Sequence, residues 1–151
     1  MTTNKKSEID PRGPRFGATI TSVLLLVVIW LSLDSASLPA ALILFEVLAF
    51  LFALGAVLGT SRTPYAFIFR KLIRPRLKPP SYLEDSKPPQ FAQGVGLFVT
   101  LIGLTLYFGG VTSGILFAAV AAFIAAFLNA AFNLCLGCQL YLVLRRLSSR
   151  N

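Results

Sequence analysis

At 151 residues, with a formal net charge of +8, 56% apolar side chains and only 13% charged ones, the chain has too little polar surface for a soluble globule and reads as one small helical membrane domain. Its 14 Lys and Arg flank apolar runs instead of forming a stripe with aromatic stacking platforms, so the expected partner is a bilayer with anionic head groups and not nucleic acid. With no histidine and two cysteines, the chain by itself excludes Ser-His and Cys-His nucleophile pairs, His-ligated metal or haem, and a structural zinc, so no metal or cofactor is expected.

In chain order, a leader with Lys5, Lys6, Arg12 and Arg15 precedes the first apolar run, Phe16 to Leu33. A cleaved signal peptide is disfavoured, because the leader contains Glu8, Asp10 and two prolines, and the small residues Ser35, Ala36 and Ser37 abut the next span. A turn over Asp34–Ser37 leads to the second run, Leu38 to Leu58, where Pro39 sits at a helix start that does not need its missing N–H. The long polar segment from Thr60 to Gln93 follows. Within it, Pro64 to Ile73 interleaves bulky apolar side chains with cations and predicts an interfacial amphipathic helix. Tyr65, Ile68, Phe69 and Leu72 would face lipid, while Arg70, Lys71, Arg74 and Arg76 meet head-group phosphates; an extension of the second helix is the alternative. Prolines 75, 79, 80, 88 and 89 then predict a stiff extended linker. The third run, Val95 to Phe108, turns through Gly109–Gly114 into the fourth, Ile115 to Leu144.

Most of these runs approach the ~20 residues that a helix needs to cross a ~30 Å hydrocarbon core. The expected fold is therefore an all-α membrane protein of four transmembrane helices in two hairpins, a single domain over residues 1–151. All basic residues lie in the leader, the middle segment and the tail, and none in the two short turns. The positive-inside rule thus places both termini and the middle segment in the cytoplasm. The two hairpins share an orientation, but their residues do not correspond, and no repeat is read.

In the fourth run, Ala118, Ala122, Ala126, Asn129 and Asn133 recur at spacings of three and four, a stripe expected to face the bundle, with the amides hydrogen-bonding a neighbouring helix. If that helix is continuous, Cys135 and Cys138 lie on another of its faces. Cys135 then falls about 30 Å beyond Ile115, at the cytoplasmic edge of the core.

Cysteines at i and i+3 can approach disulfide distance, and Gly137 between them permits local distortion. Against a thioredoxin-like oxidant stand the position near a helix C-terminus, where the dipole disfavours thiolate, and the distance to Arg145, two turns away. Cytosolic exposure would favour the reduced pair, and small apolar fillers are the other reading of these residues. Glu46 is the one acidic residue well inside a span, about 12 Å below the outer surface. An unpaired charge there costs on the order of 2.5 kcal/mol or more, so it is expected to be neutral and hydrogen-bonded, or to form a proton or ion site.

Four blocks, Ile9-Asp-Pro-Arg-Gly-Pro-Arg-Phe-Gly17, Leu72-Ile-Arg-Pro-Arg-Leu77, Pro88-Pro-Gln-Phe-Ala-Gln93 and Phe132-Asn-Leu-Cys-Leu-Gly-Cys-Gln-Leu-Tyr141, resemble an uncharacterised bacterial integral membrane family, domain of unknown function 4395. The resemblance spans nearly the whole chain and implies a bacterial inner membrane protein. Family members are often encoded beside thioredoxin-like or sulfurtransferase-like proteins, which implies a cytosolic partner of that kind. An acidic residue commonly follows the second cysteine where this chain has Gln139, which puts a carboxylate beside the thiols in doubt. The function expected is thiol redox or sulfur transfer through Cys135 and Cys138. The alternatives are a non-catalytic accessory subunit of a larger membrane complex or homo-oligomer, and a small channel or carrier using Glu46.

Overall fold

A computed structural model of the chain describes residues 7–150; Lys5 and Lys6 of the basic leader lie outside the described residues. Four helices are long and apolar enough to cross a membrane: α1 (Arg12–Leu31), α2 (Leu38–Leu58), α4 (Lys87–Phe108) and α5 (Gly114–Phe132). Between α2 and α4 lies a short α3 (Pro64–Ile68), and a terminal α6 (Leu136–Ser148) follows α5. The spanning helices form a ring in which α1 contacts α2, α2 contacts α4, α4 contacts α5 and α5 closes back on α1. Leu25 and Val28 of α1, Phe45 and Leu48 of α2 and Ile115 and Ala119 of α5 are sealed in its core. Ala118 and Ala122 of the small-residue stripe are buried there too, and Ala126 packs against them. Contact between α4 and α5 is set by glycine: a Cβ on Gly103 would lie 2.5 Å from that of Ala118, so only hydrogen lets the backbones approach.

This core occupies the half of the bundle beside the two short turns. At the other end converge the N-terminal residues, the segment between α2 and α4, and α6. There β1 (Glu8–Ile9) pairs antiparallel with β2 (Glu84–Asp85), Glu8 opposite Asp85, and the Ser86 N–H donates to the Ser7 carbonyl at 2.9 Å. Arg12 fastens the same layer. It donates to both Asp10 carboxylate oxygens, at 3.0 and 2.8 Å, and to the Lys78 carbonyl at 3.1 Å. The described basic residues all lie at this end.

Three expectations are corrected. The stretch from Pro64 to Ile73 is helical, as expected, with α3, capped by Thr63, running on through a π turn (Phe69–Ile73) and a 3-10 turn (Arg74–Arg76), but its apolar side chains do not all face lipid. Phe69 turns inward against Phe16, ring centroids 5.8 Å apart, while Arg70, Lys71, Arg74 and Arg76 are exposed. Secondly, α4 begins at Lys87, not Val95, because Pro88 and Pro89 occupy its first turn, where no N–H is needed. Thirdly, the fourth apolar run is two helices. Asn133 adopts the left-handed conformation (φ 55°) that asparagine tolerates, and α5 stops there. The Asn133 and Leu134 N–H groups close the end by donating to the carbonyls of Asn129 and Leu128, both at 3.1 Å.

Candidate functional site

The break at Asn133 relocates the cysteines. Cys135 has extended backbone (φ −82°, ψ 100°) and is the N-cap of α6, and its sulfur accepts the Cys138 N–H at 3.2 Å. Cys138 falls within the first turn. The two are joined as a disulfide with Cα atoms 5.2 Å apart. The pair therefore stands at the positive end of a helix, not at a C-terminus. Negative charge developing on Cys135 Sγ meets both the helix dipole and a hydrogen-bond donor. The helix-dipole objection to redox chemistry falls with the continuous helix on which it rested.

The helix that follows is amphipathic. Leu136, Leu140, Val143 and Leu147 recur along one face, whereas Cys138 and Arg145 lie opposite it and Gln139 and Arg146 on its flank. Its start is pinned on α4 at Gly137, where a Cβ would come within 2.6 Å of Ala92 Cα. Phe91 and Tyr141, with ring centroids 5.6 Å apart, hold the next turn.

Two cavities meet at the disulfide. The first, about 380 Å³, lies among the polar end layers and is lined by both cysteines together with Arg15, Glu84, Asp85 and Gln139. The Arg15 side chain is held by donating to the Ala130 carbonyl in the last turn of α5, at 3.0 Å, which brings a guanidinium to this cavity; Arg145 is not among its lining residues. Glu84 and Asp85 supply the carboxylates that the residue after Cys138 does not. The second cavity, about 230 Å³, lies inside the bundle beneath α6 and is walled mainly by small apolar residues of α1, α4 and α5. Cys135 lines both cavities and Cys138 only the polar one.

The remaining expected site residues do not gather here as one set. Asn129 is half-buried and lines both cavities, and Asn133, the helix stop, is exposed at the rim of the polar one. Neither is the buried interhelical amide expected of it. Glu46 is not buried within the chain either. The turn of α2 that seals Phe45 and Ala49 leaves Glu46 on the outer face with Ile43 and Phe50, away from both cavities beside the cysteines. Among the described residues no cluster of His, Cys, Asp or Glu could hold a metal. Sequence reading missed Arg15, Gln93 and the Glu84–Asp85 pair. Their signal is faint, since nothing local in Pro14-Arg15 announces a residue that reaches the end of a helix 115 positions away.

The family model described as Domain of unknown function (DUF4395) matches residues 9–146, and the chain belongs to that family. No curated protein and no solved structure matches it.

Proposed function

We propose that this membrane protein exchanges electrons with a dithiol protein through Cys135 and Cys138. The observation that carries this reading is the disulfide at the N-terminus of α6, open to a polar cavity. A partner thiolate enters that cavity and attacks Cys138 Sγ; the S–S bond breaks and its electron pair leaves on Cys135 Sγ, where the helix N-terminus favours the charge. The partner's second thiolate then attacks the mixed disulfide and expels Cys138 as thiolate. The partner is oxidised to a disulfide, the chain is reduced to a dithiol, and the partner's two protons pass to Cys135 and Cys138. A thioredoxin-like protein has the required chemistry. Sulfur transfer would use the same residues, but a persulfide carrier needs a free thiol and the pair is here oxidised. With the basic end layer in the cytoplasm, as the positive-inside rule implies, exchange takes place on the cytoplasmic side of an inner membrane.

The test uses the full chain in proteoliposomes with reduced thioredoxin. The disulfide should be reduced, and a reduced thioredoxin whose second cysteine is replaced by serine should accumulate as a mixed disulfide on Cys138, because the thiolate that expels Cys138 is gone. Failure of thioredoxin and of small dithiols alike to reduce the pair without denaturation overturns the reading.

Glu46 supports a second role. A carboxyl on the lipid-facing side of α2 costs on the order of 2.5 kcal/mol unless it is paired, which favours a second membrane subunit or a second copy packing there. Glu46→Leu should then dissociate the assembly and leave exchange through the cysteines intact, measured by native electrophoresis beside the thioredoxin assay. Loss of an ion-coupled flux in Glu46→Gln, at normal abundance, would instead favour transport.

A further inference from the structure

The exchange proposed above leaves a dithiol that some oxidant must reconvert, and the apolar cavity on the other side of Cys135 has the chemistry to receive one. We propose that this cavity binds the ring of a lipid-soluble quinone, which takes two electrons from the reduced pair and restores the disulfide; the proposal rests on the redox reading of the cysteines.

Four features point to this occupant. The cavity is within the span and measures about 230 Å³, beyond the roughly 150 Å³ of an engineered cavity that admits benzene, so a substituted six-membered ring fits. Its walls include Ala122, Ala125 and Ala126 of α5, whose short side chains leave a flat face. Ala121 and Leu140 line it and are also exposed on the flank of the bundle, which gives a lipid-soluble molecule a route in from the bilayer. Finally, Gln93 and Asn129 bring side-chain amides, and Thr21 a hydroxyl, to a mainly apolar space. The Gln93 side chain lies across Gly55 of α2, and the N–H groups of the two amides can donate to the ring carbonyls and stabilise the charge that develops there.

The step balances. Cys135 thiolate, lining the cavity, adds to the quinone ring and forms an S–C bond. Cys138 thiolate attacks that sulfur from the polar side, the S–S bond forms, and the S–C electron pair departs with the ring. Two protons, one from each original thiol, complete the hydroquinone. Electrons thus pass from the partner dithiol through Cys138 and Cys135 to the quinone pool, and the disulfide separates a water-soluble donor from a lipid-soluble acceptor.

The experiment uses the full chain, reduced and freed of reductant, in phosphatidylcholine–phosphatidylglycerol liposomes under anaerobic conditions, with decylubiquinone as the probe. Disulfide formation is followed by alkylation shift and hydroquinone by absorbance; the two should appear in equal amounts. Ala125→Phe fills the cavity and should slow quinone-dependent oxidation by about fivefold or more, the rate equivalent of the low end of an overpacking cost. It should not alter exchange with reduced thioredoxin, which uses the polar cavity. A photoreactive azidoquinone should label peptides from 92–99 or 121–129 in the unmodified chain, a readout that does not depend on the variant folding. Normal thioredoxin exchange without quinone-dependent oxidation, or labelling confined to other segments, overturns the quinone site and leaves the exchange reading standing. Loss of exchange itself removes both.

Discussion

Asn133 decides where the cysteines stand. Hydropathy and spacing make residues 115–144 one apolar run, and a stripe at helical spacing passes through Asn129 and Asn133, so nothing periodic marks a stop. What ends α5 is a single left-handed residue (φ 55°), and asparagine signals that state only weakly because it also occurs within helices. Asn133→Gly should leave the fold and the disulfide unchanged, whereas Asn133→Val should cost about 1–2 kcal/mol, the penalty of a branched side chain in that conformation, measured by thermal unfolding in micelles. Gly137, whose role was legible only as local freedom, is also a contact. Gly137→Ala places a methyl against Ala92 backbone and should displace the N-terminus of α6, costing about 1–3 kcal/mol and slowing exchange with thioredoxin. In the polar end layer, the Asp10 carboxyl is held below its ordinary value of 3.8 by its hydrogen bonds to Arg12. A lowered value in the folded state means that the contribution is complete above the unfolded carboxylate range and is lost as pH falls through the folded value. Protease cleavage near residue 10 should therefore rise on acidification below about pH 4, and Asp10→Asn should be cleaved readily at all pH values.

Among the elements, the spanning helices were the most legible, because each buries its backbone hydrogen bonds internally and exposes an apolar surface that composition alone reveals. Their ends were less so. Pro88 and Pro89 read as breakers, yet in a first turn they cost nothing, and α4 therefore enters the end layer. The amphipathic element was expected between α2 and α4, where aromatic and basic residues alternate. The structure instead turns Phe69 inward, and the long amphipathic face belongs to α6. That face was hidden because its leucines continue the apolar run of α5, with Arg145 and Arg146 the only charges in its last turn. Close packing of α4 on α5 also escaped notice, since a glycine in a span carries no sign of its partner. Gly103→Val should force the helices apart, with Phe45 3.0 Å and Ala118 2.5 Å from the first added carbon. The expected result is a loss of folded protein in the membrane and a fall in thermal midpoint consistent with about 1–3 kcal/mol or more.

In the whole molecule, packing is unequal between the two ends: a sealed apolar core beside the short turns, and two cavities separated by the disulfide beside the basic end. Under the proposed exchange, that division puts the chemistry at the basic end and leaves the other end as a structural anchor. In a cysteine-free background, cysteines placed at Ser35 and Ser113 should react with an impermeant reagent from outside the cell, and one at Lys78 only after permeabilisation. The reverse pattern would move the exchange site to the outer face. Sequence supplied the cysteine pair but not its surroundings, because the cavity walls come from residues near 15, 84, 93 and 129 that meet only when the bundle closes. The most direct test of the central claim is differential alkylation of Cys135 and Cys138 in native membranes, without detergent, before and after brief treatment with an impermeant phosphine reductant. Both thiols should be protected beforehand and react fully afterwards, and the protection should return when the reductant is removed and oxidant supplied. Thiols that stay unreactive until the protein is denatured, in either state, would contradict it.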